Sequence, residues 1–562
     1  MSAPAALPSR PGISAWGCAT LFTALAVLFT WPQALHLDAV PDFKDAYFNI
    51  WRMAWIAHQA PLDPLHLFDA NIFFPLPNTL AFSDAVLLPA LLGAPLAWLG
   101  VPSVIVYNLA VLASFVLCGL GMFLLVRDLT GSSAAGIVGG LVFAFAPFRF
   151  EHYAHLEMLW APWMPLALRM LHRTLRTGRL SHGLWTGLLV ALQGFSSIYY
   201  VVFFATSLVV LVPLLLLTVR PPDRRRALGA LMAGAVLATV LLLPYLLPYR
   251  TARGVVGERP AGDLVVYSAG PKHYLAAMPD SVLYGRVTGG IGSAEKRLFV
   301  GFSVMALVGF GLWRRADRTA LAYAAVLVLA IAGSFGHRGL VFMWLRDAVF
   351  LYRGLRVPAR FGHIVLLAAA VLAGYGFARL HAWLGGRRPR LAAAAPAIAC
   401  LIIGGEYLMR PAALTPLEIA PSQVYRWLRS QPDGVVAEFP FPRTPADVPR
   451  EGLVLYRSTF HWKPMVNGYS GFYPRSYQDL WTALESFPSD AAVAALQARG
   501  VTYLVVHERE YGRARYLEVV EGLAARRDVE AFGPFLEPGG QVRAYRLRSA
   551  SPAVSGKRIL DP

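Results

Sequence analysis

Apolar residues fall in long blocks along this chain, at about 15–37, 103–126, 134–148, 158–173, 182–198, 199–219, 227–248, 297–313, 318–334, 361–384 and 391–409. A helix needs roughly 20 such residues to cross a bilayer, so the shorter blocks must borrow flanking residues or tilt. The pattern predicts a mainly α polytopic membrane bundle of about eleven transmembrane helices over residues 15–410. A further apolar stretch at 83–99 reads as a re-entrant or surface helix closing a large first outside loop, 38–102. After about residue 410 the pattern changes. Strand-like runs at Val435–Phe439, Leu453–Tyr456, Val501–His507 and Val542–Leu547 mix with helical patterns at Ser422–Ser430, Tyr477–Phe487 and Ala491–Arg499. Residues 411–548 therefore read as a small α/β domain, and 549–562 as a disordered tail. No internal repeat is visible, so the inverted-repeat signature of many transporters is missing.

Composition agrees with a membrane protein. Of 562 residues, 56% are hydrophobic and 15% charged, with a mean hydropathy of +0.50; soluble domains carry about 25% charged residues. The formal charge of +18 does not imply nucleic acid, because the arginines stand in short clusters between apolar blocks. Arg127; Arg173, Arg176 and Arg179; Arg220 with Arg224 to Arg226; Arg314, Arg315 and Arg318; and Arg387, Arg388 and Arg390 fall at alternate ends of the blocks. If those ends are cytoplasmic, residues 1–14 are inside and the C-terminal domain is outside. The N-terminal block is longer than a typical cleaved signal and reads as a retained span. Cys18, Cys118 and Cys400 all lie in apolar blocks and predict neither disulfides nor a zinc site.

Candidate chemistry gathers just after the first block. As a helix, 41–59 places Asp42, Asp45, Asn49, Arg52 and Gln59 on one narrow stripe, with aromatic and aliphatic residues elsewhere. Carboxylates beside a bilayer point to chemistry, Asp45 being central in the stripe and Asp42 at its edge; a plain helix-capping role is the alternative. In a second outside segment, spacing predicts that Glu151, His152 and His155 share a helical face, as a weak metal set or an interfacial belt. Glu157, at the mouth of a span, is a further carboxylate positioned to line a cavity. Arg353, Arg356 and Arg360 sit on the outer side against the positive-inside trend, where they suit a phosphate, lipid head groups or Asp347. Lys272, His273 and Tyr274 are placed to assist. P-loop, dinucleotide-binding, Gly-x-Ser-x-Gly and His-Glu-x-x-His motifs are all missing.

Across about residues 15–410 the arrangement resembles the GT-C superfamily of membrane glycosyltransferases. The resemblance rests on Asp42/Asp45 after the first span, the helix they begin, the topology and the Arg353/Arg356/Arg360 cluster. It implies a GT-C-like bundle in the bacterial inner membrane that takes a sugar from a polyprenyl-phosphate-linked donor to an envelope lipid, glycan or protein. Asp45 would be the catalytic carboxylate, supported by Asp42, with Glu157 the next candidate. Asn49, Arg52, His152, His155, Lys272 and the three arginines would bind substrate. The pair Asp42-Phe-Lys-Asp45 is one residue wider than the family's Asp-x-Asp or Glu-x-Asp. A divalent ion, magnesium or manganese, is thus not required by the pattern; Asp42 and Asp45 would be its ligands. The chain also resembles a group of uncharacterised bacterial membrane proteins through Asp69-Ala-Asn-Ile-Phe-Phe-Pro75, Tyr107-Asn-Leu109, Leu125–Gly131 and Arg356–Phe361. The C-terminal domain would face the periplasm and could take an envelope partner. The rival readings are a transporter or flippase of lipid-linked glycans and a non-catalytic envelope assembly protein. Span centres nearly free of charge argue against the transporter.

Overall fold

A computed structural model describes residues 14–41, 45–219, 221–257, 261–313, 316–442 and 447–548. The first part of the chain forms α1 (Ala15–Phe29), α2 (Asp45–Gln59), α3 (Leu87–Trp98), α4 (Ser103–Thr130), α5 (Ser133–Phe145), and the short α6 (Pro147–Glu151) and α7 (Leu156–Leu159). Then come α8 (Trp163–Thr177), α9 (Leu180–Ser196), α10 (Ile198–Thr218), α11 (Arg224–Val256), α12 (Ala261–Tyr267) and α13 (Gly285–Thr288). The bundle ends with α14 (Phe302–Leu312), α15 (Arg318–Ser334), α16 (Leu340–Ala348), α17 (Gly362–Gly385) and α18 (Pro389–Tyr407).

Every apolar block carries a helix, and the chain is a multi-pass membrane protein. Six helical segments among the described residues are long and apolar enough to cross a membrane: 103–130, 133–151, 198–218, 224–256, 358–385 and 389–407. The expectation of about eleven full spans is met only in part, because α1, α14 and α15 are apolar but shorter. Helix α8 departs for a chemical reason: its arginines Arg169 and Arg173 both hold Asp128 at the end of α4 (2.8 and 3.0 Å), so one side of it is polar. Helix α3, at 12 residues, rises only about 18 Å and cannot cross the ~30 Å hydrocarbon core alone. It packs on α2, and Trp98 Nε1 donates to the Ala57 carbonyl (2.8 Å).

Starts are set by caps: Ser14, Ser132, Asp223 and Asp317 each accept from a backbone amide in the first turn of the helix they precede. Lateral packing relies on small residues. A Cβ on Gly183 would lie 2.0 Å from the Ala230 carbonyl oxygen and one on Gly187 1.9 Å from that of Gly234, so α9 and α11 meet backbone to backbone.

The C-terminal domain holds strands β3 (Val435–Phe439), β4 (Val501–His507), β5 (Val529–Glu537) and β6 (Gly540–Leu547) in the order β3-β4-β6-β5, with β3 parallel to β4 and the other pairs antiparallel. Its helices are α19 (Gln423–Ser430), α20 (Glu451–Ser458), α21 (Arg475–Ala483), α22 (Asp490–Gln497), α23 (Glu508–Tyr511) and α24 (Arg513–Ala524), of which α19, α22, α23 and α24 pack on the sheet. The expected strand at Leu453–Tyr456 is corrected to helix α20. A four-residue apolar run fits either period, and here it buries Leu455 and Tyr456 on a helix that packs on α2.

This domain is built onto the first loop. Strand β1 (Ala39–Pro41) pairs antiparallel with β2 (Leu414–Pro416). Asn71–Phe74 then exchanges main-chain hydrogen bonds with Met465–Asn467: Met465 N to Asn71 O, Phe73 N to Asn467 O and Phe74 N to Met465 O, each 2.9 Å. Phe73 is held there at φ 55°, a conformation an aromatic residue adopts only under surrounding constraint.

Candidate functional site

Helix α2 is buried on most of its surface by Phe48, Ile50, Trp51, Met53 and Trp55, leaving the polar stripe to face one place. That place is a cavity of about 620 Å³, within the ~300–1,000 Å³ typical of ligand sites. Asp45, Asn49 and Arg52 line it together, as the helical period predicted. Gln59 does not reach it and turns to the Asp63 carbonyl instead (3.3 Å). Asp42 lies outside the described residues.

Asp45 is half-buried, and each of its carboxylate oxygens has its own donor. His155 Nε2 lies 3.1 Å from Oδ2, and the Tyr469 hydroxyl donates to Oδ1. Burial pushes its pKa up, but the hydrogen bonds from His155 and Tyr469 and the charge of Arg52 outweigh this and hold the carboxyl well below the usual carboxylate range. Both side chains line the cavity, and because Nδ1 of His155 is sealed from solvent, the imidazole meets Asp45 through Nε2.

Below Asp45, Asn49 Nδ2 donates to the carbonyls of Asp45 (3.1 Å) and Ala154 (2.9 Å), and Arg52 Nη2 meets Glu157 Oε2 at 2.9 Å. Arg52 also donates to the Asp84 carbonyl. Asp84, like Glu295, is a further acid lining the cavity that sequence reasoning missed. Its carboxylate accepts from the amide of Ile198 (2.9 Å) and the hydroxyl of Ser197 (3.1 Å), so it caps α10 from 114 positions away. Burial, helped by nearby Glu157, raises its pKa to about 6 against the pull of the Ile198 amide and Arg52.

The lining is also basic. Arg250 and Arg253 from α11 join Arg353, Arg356 and Arg360 around the cavity, the first two unforeseen because they end a long apolar helix. Arg250, Arg353 and Arg356 have no carboxylate partner among the described residues. Arg356 stacks over Tyr267, with Cζ 5.6 Å from the ring centre. Arg360 differs: it is buried and bound through Nε and Nη2 to the two carboxylate oxygens of Glu295. Burial pushes Glu295 up, but the Arg360 charge and hydrogen bonds hold it down to about 2. Leu243, Leu246 and Leu247 of α11 form an apolar flank, and Leu243 and Leu247 are exposed on the outside of the bundle.

The remaining expected site residues lie apart. The expected shared face of Glu151, His152 and His155 forms only in part: the two imidazoles meet edge to face, ring centroids 5.6 Å apart, but Glu151 turns elsewhere, because α6 stops at Glu151 and the spacing rule stops with it. Glu151 pairs with Arg297 (2.7 Å), while His152 is buried beside Glu295 at 3.8 Å, outside the cavity lining. Lys272 is exposed on a turn at 271–275 and does not line the cavity. Among the described residues no three His, Cys, Asp or Glu side chains come together as a metal-binding group. Two of the motifs shared with uncharacterised proteins are struts: Asn71 takes the Trp51 indole (3.1 Å), Tyr107 donates to the Ala154 carbonyl (3.2 Å), and Asn108 to those of Leu37 and Ala39 (both 2.8 Å).

Solved structures share this fold, among them the following two. The arabinofuranosyltransferase AftD from Mycobacteria (mutant R1389S, class 2) superposes with a TM-score of 0.50 at 16% identity, covering 94% of this chain and 41% of that one. ArnT from Cupriavidus metallidurans in the apo state gives 0.50 at 14% identity, covering 94% of this chain and 98% of that one. This chain thus spans about two fifths of AftD and nearly all of ArnT. The likeness shows a GT-C-type fold. No curated protein matches the sequence. A family model described as "Domain of unknown function (DUF6311)" matches residues 57–403, more than half of the chain, and the protein belongs to that family.

Proposed function

We propose that this protein is a membrane glycosyltransferase. It moves a sugar from a polyprenyl-phosphate-linked donor to a hydroxyl of an envelope lipid, glycan or protein, on the outer face of the bacterial inner membrane. The observation that carries this is one cavity lined by the Asp45 carboxylate, by arginines without acid partners among the described residues and by exposed leucines. A phosphate, a sugar and an isoprenoid tail would each meet a wall of matching chemistry. The fold shared with an arabinofuranosyltransferase and ArnT supports the same class of reaction.

In this reading Arg250, Arg353 and Arg356 hold the donor phosphate, with Asn49 lining the sugar's side. The acceptor oxygen attacks the anomeric carbon opposite the phosphate. The carbon–oxygen bond to phosphate breaks, its electron pair leaves with the polyprenyl phosphate, and the acceptor proton passes to Asp45. The arginines balance the charge on the departing phosphate. A carboxylate with a low pKa is a weak base at rest. It suffices here because the acceptor hydroxyl becomes strongly acidic only as the new bond forms. Asp42 is the proposed support for Asp45, and a divalent ion, if used, would need both.

The test is lipid analysis of a deletion strain by mass spectrometry. A polyprenyl-phosphate sugar should accumulate, disappear with the wild-type gene and persist with Asp45→Asn present at wild-type levels in the membrane. A general base is worth at least about a hundredfold in rate. An Asp45→Asn gene that clears the lipid would end the assignment of Asp45, and no accumulation in the deletion strain would end the reading as a whole.

A further inference from the structure

The C-terminal domain reaches into the cavity. Tyr469, Ser470, Gly471 and Phe472 line it, although the domain's sheet lies outside the membrane bundle. We propose that Tyr469 is a positioning residue for the Asp45 carboxylate, so that the C-terminal domain completes the transfer site. The inference rests on the reading of Asp45 as the catalytic carboxylate.

The loop that carries Tyr469 is anchored on both sides. Asn467 Oδ1 accepts from the Glu438 amide (2.7 Å), while its Nδ2 donates to the Glu438 carbonyl (2.9 Å). Buried Glu451 Oε2 receives Asn467 Nδ2 (3.2 Å), the Gly468 amide (3.3 Å) and the Tyr477 hydroxyl (3.1 Å). Gly468 passes so close to the first loop that a Cβ there would lie 2.4 Å from the Phe73 ring. The Tyr469 ring then stands edge-on to Phe48 of α2, centroids 5.3 Å apart.

This matters because a carboxylate turns easily about its terminal bond, whose torsion is broad and two-fold. His155 alone fixes one oxygen. Tyr469 fixes the other, and two donors on two oxygens set the plane. Each oxygen keeps a second lone pair for the acceptor proton. The charged and titratable groups around the pair are His155 and Arg52 on Asp45, with Arg356 and Tyr473 on Tyr469. Tyr469→Phe removes one donor to Asp45 without altering a charge.

The test uses the full-length protein in lipid nanodiscs, with dicyclohexylcarbodiimide as probe, since it reacts with protonated carboxyls. Labelling of Asp45, followed by mass spectrometry across pH, should have its midpoint about one pH unit higher in Tyr469→Phe, a tenfold change in proton affinity. In the deletion strain, the Tyr469→Phe gene should leave more lipid-linked sugar than wild type. Because phenylalanine keeps the ring and its packing, a purely structural Tyr469 predicts identical midpoints, and that result would overturn the inference. Asp45→Asn separates the two claims. If it fails to clear the lipid while Tyr469→Phe labels like wild type, only the inference falls. If Asp45→Asn clears the lipid, both fall.

Discussion

Arg52 and Glu157 stand 105 positions apart and meet as a buried ion pair, Nη2 to Oε2 at 2.9 Å, beneath the Asp45 carboxylate. The pair joins α2 to α7 and so sets the angle at which the cavity's acidic wall is presented. Removing one partner of such a pair leaves an uncompensated buried charge, at about 3–5 kcal/mol. Glu157→Gln should therefore lower the thermal unfolding midpoint of purified protein markedly. Arg52→Met with Glu157→Leu should recover part of the loss. If Glu157→Gln is as stable as wild type but does not clear the lipid-linked sugar, Glu157 acts in the chemistry instead.

Some of this site was legible in the sequence and some was not, for definite reasons. Asp45, Asn49 and Arg52 could be grouped because they share one helix, where spacing alone fixes the face. Arg353 and Arg356 were visible as arginines on the wrong side of the charge pattern. Asp84 caps α10 across 114 positions and Tyr469 reaches Asp45 across 424, contacts that no local period encodes. The grouping of Glu151 with His155 failed because it assumed a helix that ends at Glu151. The small-residue seam of α9 and α11 was present in the sequence as Gly183 and Gly187, four apart, but its partner could only be seen folded.

The arginines should divide into two groups. Arg250→Ala, Arg353→Ala and Arg356→Ala should each weaken binding of farnesyl phosphate about 10- to 100-fold, the loss of a charge-assisted contact worth about 1.5–3 kcal/mol. Their unfolding midpoints without ligand should stay near wild type. Arg360→Ala should instead lower the midpoint without ligand, because it strands Glu295 in a buried position. Isothermal titration alongside thermal unfolding distinguishes the groups. Equal farnesyl phosphate affinity in all four variants would refute the phosphate wall.

Asp84 should shape how stability depends on pH. Its folded-state pKa is raised from 3.8 to about 6, so the folded protein holds this proton more tightly than the unfolded chain. That contribution is fully present below the unfolded value and is lost as pH rises through the folded one. Asp84→Asn abolishes the effect while Asn can still accept from the Ile198 amide. Going from pH 5 to pH 7, the variant should gain stability relative to wild type. Parallel unfolding curves across that range would show that Asp84 titrates normally.

The last prediction concerns which side of the membrane the cavity faces. Helix α11 begins at Arg224 and lines the cavity only from Leu243 onward, so the two features lie at opposite ends of a 33-residue helix about 50 Å long. The same separation recurs in the other helices. Arg127 is in the last turn of α4 and Arg176 in the last turn of α8, whereas the cavity is met at the start of α10 and just before α17. Arg387, Arg388 and Arg390 follow or begin helices at the far end from Arg360. Basic residues remain on the cytoplasmic side, so the cavity and the C-terminal domain should face outward, where a lipid-linked donor rather than a nucleotide sugar is at hand. Arg314, Arg315 and Arg220, which belong to the same clusters, lie outside the described residues. In a background where Cys400 is replaced by serine, Ala525→Cys in the C-terminal domain should react with a membrane-impermeant maleimide in spheroplasts. Arg225→Cys should react only after the membrane is opened. The reverse pattern would place the cavity in the cytoplasm, and the proposed donor would then have to be replaced by one made on that side.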